Sequence, residues 1–243
     1  PDLQLKAMHF RRVGWSDLKL SRLGVGAWVT LGKQIGRSEA RDLIAEAFDA
    51  GINCCDNAET YASGEAERIM GDVLVDLRLP RDAWCVSSKV YFGAVEHPAP
   101  TQKGLSRKHV IEACEQALRR LHVDHLDLYY CHRPDPDPPI EETVRARDAL
   151  IRQGTVRYWG TSEWPAEAIR EAATMARANG LPAPTMEQPE YNLLHREPVE
   201  CDYAPRYSAL GPRTPLWSPP RSRRPTAAAA WRRKDACGRL RTD

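Results

Sequence analysis

Asp56 and Tyr61 stand five residues apart in NCCDNAETY, where an apolar run gives out. Lys89 closes a second apolar run, WCVSSKV, and His132 closes a third, LDLYYCH. Asp, Tyr, Lys and His make a coherent acid–base set. A tyrosine titrates near about 10 and is a poor acid at neutral pH. A neighbouring ammonium lowers that value, a carboxylate holds the ammonium in place, and an imidazole can hydrogen-bond a carbonyl oxygen. The set predicts proton donation by Tyr61, with Asp56 anchoring Lys89 and His132 meeting a substrate carbonyl. Taken singly, each residue has a plainer reading: a helix or turn cap for Asp56, packing for Tyr61, a solvated strand end for Lys89, a turn before Pro134 for His132. The chemical reading rests on their joint placement.

The elements that must position them alternate. LGVGAWV (23–29) precedes a helical pattern, SEARDLIAEAFDAG, with Ser38 as candidate N-cap and Gly51 past its end. INCCD leads to the helix GEAERIMGDVLVDL, WCVSSKV to a helix starting at Ser106, and LDLYYCH to IEETVRARDALIRQG. VRYWGTS precedes PAEAIREAATMARANG, with Pro165 in its first turn and Gly180 as its stop, and a strand-like 185–188 follows. Strands alternating with helices argue for a parallel sheet, and the count predicts an α/β fold, the (β/α)8 TIM barrel, which takes about 250 residues. A doubly wound sheet is the rival, but LGVGAWVTLG is a poor glycine-rich phosphate loop. HFRRVGWSDLKLSRLG predicts an N-terminal β-hairpin turning around residues 14–17. In such a barrel catalytic groups gather at the C-terminal strand ends. Those ends here carry Asp56, Ser88 and Lys89, His132, Thr161 and Ser162, and Gln188, with Tyr61 in the loop after the second strand.

From Tyr207 onward Arg and Pro are dense and the apolar periodicity stops. No eighth βα unit is legible there, and the seventh is not established. The expected organisation is a barrel domain over 8–220, incomplete in the region of strands 7 and 8, and a basic low-complexity tail over 221–243. An unclosed barrel leaves raw strand edges, so poor solubility, or rescue by another chain, is expected.

Bulk composition excludes several classes. The 243 residues are 42% hydrophobic and 28% charged with net charge +2, which gives no general pull toward nucleic acid or membrane. No apolar run approaches the roughly 18 residues of a membrane span, and the N-terminus has no leader-like apolar region. The tail's arginines lack a nucleic-acid-binding motif and read as a disordered basic end. Seven cysteines include no CxxC pair, and four fall in apolar runs, which suits reduced thiols and a cytoplasmic setting. His122, His125 and His132 have loosely metal-like spacing without a completing ligand, so no metal site is predicted.

The quoted motifs together resemble the aldo-keto reductases. DNAETY (56–61) is similar to that family's second-strand motif, SSK to its third and CHRPD (131–135) to its fourth. GLSRKHVIEA, RPDPDPPIEETVRA, YWGTSEW and EQPEYNLL resemble more narrowly the voltage-gated potassium channel β-subunits and their plant and bacterial reductase-type relatives. The resemblance implies NADPH-dependent reduction of an aldehyde or ketone, with Tyr61 as general acid and Asp56, Lys89 and His132 completing a tetrad. It implies that Ser162 and Gln188 bind the nicotinamide carboxamide, that Trp217 and Ser218 of WSP belong to the cofactor site with Trp217 stacking on the ring, and that Trp28 stands at the active-site mouth. Animal channel subunits carry Asn where this chain has His132, so the resemblance favours an enzyme. The alternatives are an NADPH-binding, tetrameric regulatory subunit of a potassium channel, or an inactive truncated reductase. After WSP the chain departs from the family; a shifted reading frame would explain its Arg-, Pro- and Ala-rich run, and family-like residues in another frame of the gene would be the expected sign of it.

Overall fold

The computed structural model describes residues 8–192, 194–204 and 215–217; Ser218 and the 221–243 tail lie outside the described residues. A hairpin opens the fold. Its strands β1 (Phe10–Arg12) and β2 (Lys19–Ser21) pair antiparallel, and Val13 N donates to Leu18 O at 3.0 Å to close the turn. Then come β3 (Val25–Gly26), α1 (Arg37–Asp49), β4 (Cys54–Asp56), α2 (Glu65–Leu77), β5 (Cys85–Val90) and α3 (Arg107–Leu121). They are followed by β6 (Leu126–Cys131), α4 (Ile140–Arg152), β7 (Val156–Thr161), α5 (Ala166–Ala178) and β8 (Met186–Glu187).

Strands β3 to β8 form one parallel sheet in strict chain order, curled into a half-barrel. That order decides between the rival architectures. A doubly wound sheet reverses direction beside its first strand, whereas here every strand lies next to its predecessor, as the (β/α)8 barrel requires. Just past β8, Glu190 makes a parallel bridge to Trp217, with Trp217 N donating to Pro189 O at 3.2 Å. Residues 215–217 therefore take the next position around the sheet, where a seventh strand belongs.

Side-chain alternation sorts the sheet into two faces. Val86, Val90, Tyr129, Cys131 and Trp159 point outward and pack with the helices in the main core. Cys85, Leu128, Tyr130 and Met186 point inward and pack on Val13 and Leu20 of the hairpin, which plugs the N-terminal end of the barrel. Asn53 ties plug to sheet: it accepts from Ser21 N at 2.8 Å and donates to Lys19 O at 3.0 Å.

Two local expectations need correction. Helix α1 is capped by Gly36, whose N–H donates to Glu39 Oε2 at 3.2 Å, and not by Ser38, which lies within the first turn. Glu39 reaches back to an orphan amide, so the helix starts earlier than a hydroxyl cap at Ser38 would place it. The first barrel strand is also shorter than 23–29. The chain leaves it in a turn in which Leu31 N donates to Ala27 O at 3.1 Å and Val29 adopts a φ of 57°. No helix among the described residues is long and apolar enough to cross a membrane.

Candidate active site

Lys89 is the centre of the site. It is 1% exposed, and its Nζ donates to Asp56 Oδ2 at 2.5 Å, to Asn57 O at 2.9 Å and to Tyr61 Oη at 3.1 Å. All three ammonium hydrogens are used. The SSK string is divided by the strand's alternation. Ser87, on the inner face with Lys89, donates to Asp56 Oδ1 at 2.6 Å. Ser88, on the outer face, donates to Glu67 Oε1 of α2 at 2.5 Å. Burial alone pulls the Lys89 pKa down, but Asp56 and Tyr61 overcome it and leave it raised. Lys89 is thus a permanent cation in the barrel mouth.

Tyr61 is delivered by a strained turn. Ala62 (φ 48°), Ser63 (φ 52°) and Gly64 (φ 86°) are consecutive left-handed residues, a costly path for the two non-glycines. A Cβ on Gly64 would also sit 3.2 Å from Arg120 Cδ. Arg120, on α3, braces this turn and donates through Nε to Glu67 Oε2 at 2.6 Å, while Glu67 is fully buried. Burial raises the Glu67 pKa, against the opposing pull of Arg120 and Ser88.

Contrary to expectation, the Tyr61 pKa is raised. Burial outweighs the lowering effect of Lys89, and Asp56 adds to the rise. His132 meets Tyr61 edge-on, ring centroids 5.8 Å apart at 78°. It is 7% exposed and its Nδ1 has no hydrogen-bond partner among the described residues. Burial first, then Lys89 and Arg133, push its pKa down to about 2, so His132 is a neutral imidazole.

The remaining expected residues assemble beside this group. Gln188 Nε2 approaches Asp56 Oδ1 at 3.4 Å, and Ser162 Oγ donates to Gln188 O at 2.8 Å; both residues are buried. Trp217 and Trp28 meet edge to face with centroids 5.3 Å apart, and Trp28 is half exposed. Asp56, Tyr61, Lys89, His132, Ser162 and Gln188 thus form one cluster, with the Trp28–Trp217 pair reached through Pro189; Ser218 lies outside the described residues.

Several supporting residues are not evident from motif reading. Glu163 accepts from Trp217 Nε1 at 2.9 Å and also from Glu190 N, fixing Trp217 relative to β8. Glu187 points outward from β8 and accepts from Thr161 Oγ1 at 2.5 Å and Trp164 N at 3.3 Å. A sequence signal existed for Glu67, which occupies an apolar-face position with Met70 and Leu74 on α2. For Glu163 and Glu187 nothing local distinguishes them from solvated acids.

Burial raises the Glu187 pKa to about 8, beyond what Thr161 and Trp164 offset. Its folded value lies above its unfolded one. Its contribution is therefore complete below the ordinary carboxyl range, about pH 4, and is lost as pH rises through about 8. Denaturant midpoints between about pH 5 and 8 should fall in the wild type, and less in Glu187→Gln. Equal falls in both chains contradict the assignment.

Comparison with known proteins adds three findings. A family model described as the aldo/keto reductase family matches residues 22–203. A "Probable voltage-gated potassium channel subunit beta" of Oryza sativa subsp. japonica is 47% identical over 212 residues, covering 87% of this chain. A protein of the same description from Arabidopsis thaliana is 45% identical over 212 residues. The chain spans 64% of the length of each of these two relatives.

Proposed function

Because the chain belongs to the aldo/keto reductase family, we propose that it reduces an aldehyde or ketone to an alcohol with NADPH, Tyr61 acting as general acid. The observation that carries this reading is the Asp56–Lys89–Tyr61 chain, closed at 2.5 and 3.1 Å, beside a neutral His132 on the inner face of the barrel mouth. The residues present suit the nicotinamide end of the cofactor. Gln188 offers a side-chain amide, Trp217 an aromatic face, and His132 Nδ1 is a buried polar atom with no hydrogen-bond partner among the described residues. Bound NADPH supplies the hydride.

The protein's own groups supply the proton and the electrostatics. Lys89 donates to the Tyr61 oxygen, so the phenol's own hydrogen points away from Lys89 and toward the site. The raised pKa keeps Tyr61 protonated at neutral pH. As the proton leaves, the phenolate forms beside an ammonium that is already oriented and desolvated, where its stabilisation is greatest. Asp56 keeps that ammonium charged and in place. His132, being neutral, meets a carbonyl as a hydrogen-bonding group without adding positive charge beside Lys89. Cytoplasmic action on a small carbonyl compound belongs to this reading.

The test is NADPH oxidation by the full chain against a panel of aldehydes and ketones. Saturable oxidation supports the proposal; saturable NADPH binding with no turnover on any of them overturns it. With Tyr61 and Lys89 raised and His132 pushed down to about 2, none of these three groups titrates across neutrality. At saturating NADPH and carbonyl, kcat should therefore show no inflection between about pH 5.5 and 7.5. An inflection near the ordinary histidine value, about 6.5, contradicts the neutral His132.

A second reading, a regulatory subunit of a potassium channel, is favoured by the descriptions of the two plant relatives; in this reading the chain would bind NADPH and assemble as a tetramer. Co-purification of a channel with the tagged chain, with carbonyl turnover absent, would select it.

A further inference from the structure

We propose that Glu59 and His109 form a latch that holds Phe92 against His132 and so builds one wall of the carbonyl pocket, an inference that rests on the reductase reading above. Glu59 is buried, three residues after Asp56 and two before Tyr61. Its Oε1 alone accepts two backbone hydrogen bonds, from Tyr91 N at 2.8 Å and from Gly93 N at 2.9 Å. The residue between those amides is Phe92. Its ring lies 5.2 Å from that of His132 at 78°, and it is 40% exposed. An apolar ring left open over a buried imidazole is poised to meet a ligand's apolar body.

The other end of the loop is tied to the same carboxylate. Gly104 N donates to Tyr91 O at 2.7 Å, which closes the 91–104 loop on itself. His109, in the first turn of α3, lies with Nδ1 2.8 Å from Gly104 O and Nε2 3.4 Å from Glu59 Oε2. A carbonyl can only accept, so Nδ1 carries a hydrogen, and Nε2 attracts the carboxylate only when it is protonated too. Burial pulls the His109 pKa down, but the hydrogen bond and charge of Glu59 raise it on balance, in keeping with an imidazolium. Gly93 completes the loop's geometry with a φ of 86°, and a Cβ there would stand 2.6 Å from Gln102 O. Glu59 N also donates to Lys89 O at 3.2 Å. One residue thus couples the end of β5 that carries Lys89 to the loop that carries Phe92. Glu59 and His109 touch no reacting atom; they are positioning residues.

The test uses three variants of the full chain. Glu59→Ala removes the acceptor. Glu59→Gln keeps Oε1 for both amides and offers an amide N–H to a neutral His109. Phe92→Ala removes the wall and leaves the latch intact. In Glu59→Ala, amide exchange at 91–93 should accelerate at least about tenfold relative to β5 and β6. KM for benzaldehyde should rise about tenfold, with a smaller change for acetaldehyde and for the Kd of NADPH. Glu59→Gln should restore both, and Phe92→Ala should reproduce the KM change without the exchange change. Unchanged exchange in Glu59→Ala overturns the latch. Equal KM increases for the two aldehydes, or an unaltered benzaldehyde KM in Phe92→Ala, overturn the wall. A wild type that binds NADPH but turns over no member of the aldehyde and ketone panel overturns the reductase reading and the pocket role with it, whereas the exchange result then still decides the latch.

Discussion

Tyr61→Phe lowers carbonyl reduction by roughly 10²–10⁴-fold and leaves NADPH binding nearly unchanged. The substitution removes one oxygen and keeps the ring that meets His132 edge-on at 5.8 Å. Lys89 loses one of three acceptors but retains Asp56 at 2.5 Å and Asn57 O at 2.9 Å, so its charge stays compensated. The loss therefore falls on proton delivery and not on assembly of the site. Single-turnover NADPH oxidation, beside a fluorescence titration of NADPH, separates the two. A variant that retains its rate within about tenfold places the proton donor elsewhere.

Arg120→Met unfolds the brace under the same turn. Glu67 is fully buried, and Arg120 supplies its only basic partner among the described residues, with Nε at 2.6 Å. Removing one member of a buried ion pair strands the other, which costs about 3–5 kcal/mol, roughly 10 °C in Tm for a chain of this length. Ser88 still donates to Glu67 at 2.5 Å, but one hydroxyl does not replace a counterion. The double variant Arg120→Met, Glu67→Gln should recover most of that loss, because the remaining amide is neutral and still hydrogen-bonded. Thermal unfolding of wild type, single and double variants reads this directly. A single variant within about 1 kcal/mol of wild type means the pair contributes little.

The barrel was legible because its alternation is long and regular. β5 and β6 are six-residue apolar runs followed by helices, and their inward-facing period of two carries Lys89 and His132 to the same mouth. Asp56 was legible for the same reason, as the last residue of a strand. The short elements were less so. β3 and β8 are two residues each, and the turn that ends β3 uses Val29 at positive φ, a residue type that gives no turn signal. The supporting acids were hidden by sequence distance: Glu67 and Arg120 are 53 residues apart, and Glu163 and Trp217 are 54. The sign of the Tyr61 shift was missed because a motif reveals Lys89 as a neighbour but not how far the pair is removed from water. Burial decides that sign, and burial comes from the strands and helices packed around the mouth.

The fate of the hydride itself decides whether this chain reduces carbonyls with NADPH. The full chain is incubated with NADPH carrying deuterium at both C4 positions and an aromatic aldehyde, and the alcohol is analysed by mass spectrometry. The expected product is an alcohol carrying one deuterium on the former carbonyl carbon, formed by wild type and nearly absent with Tyr61→Phe. An alcohol without the label, or equal labelled product from both chains, contradicts it.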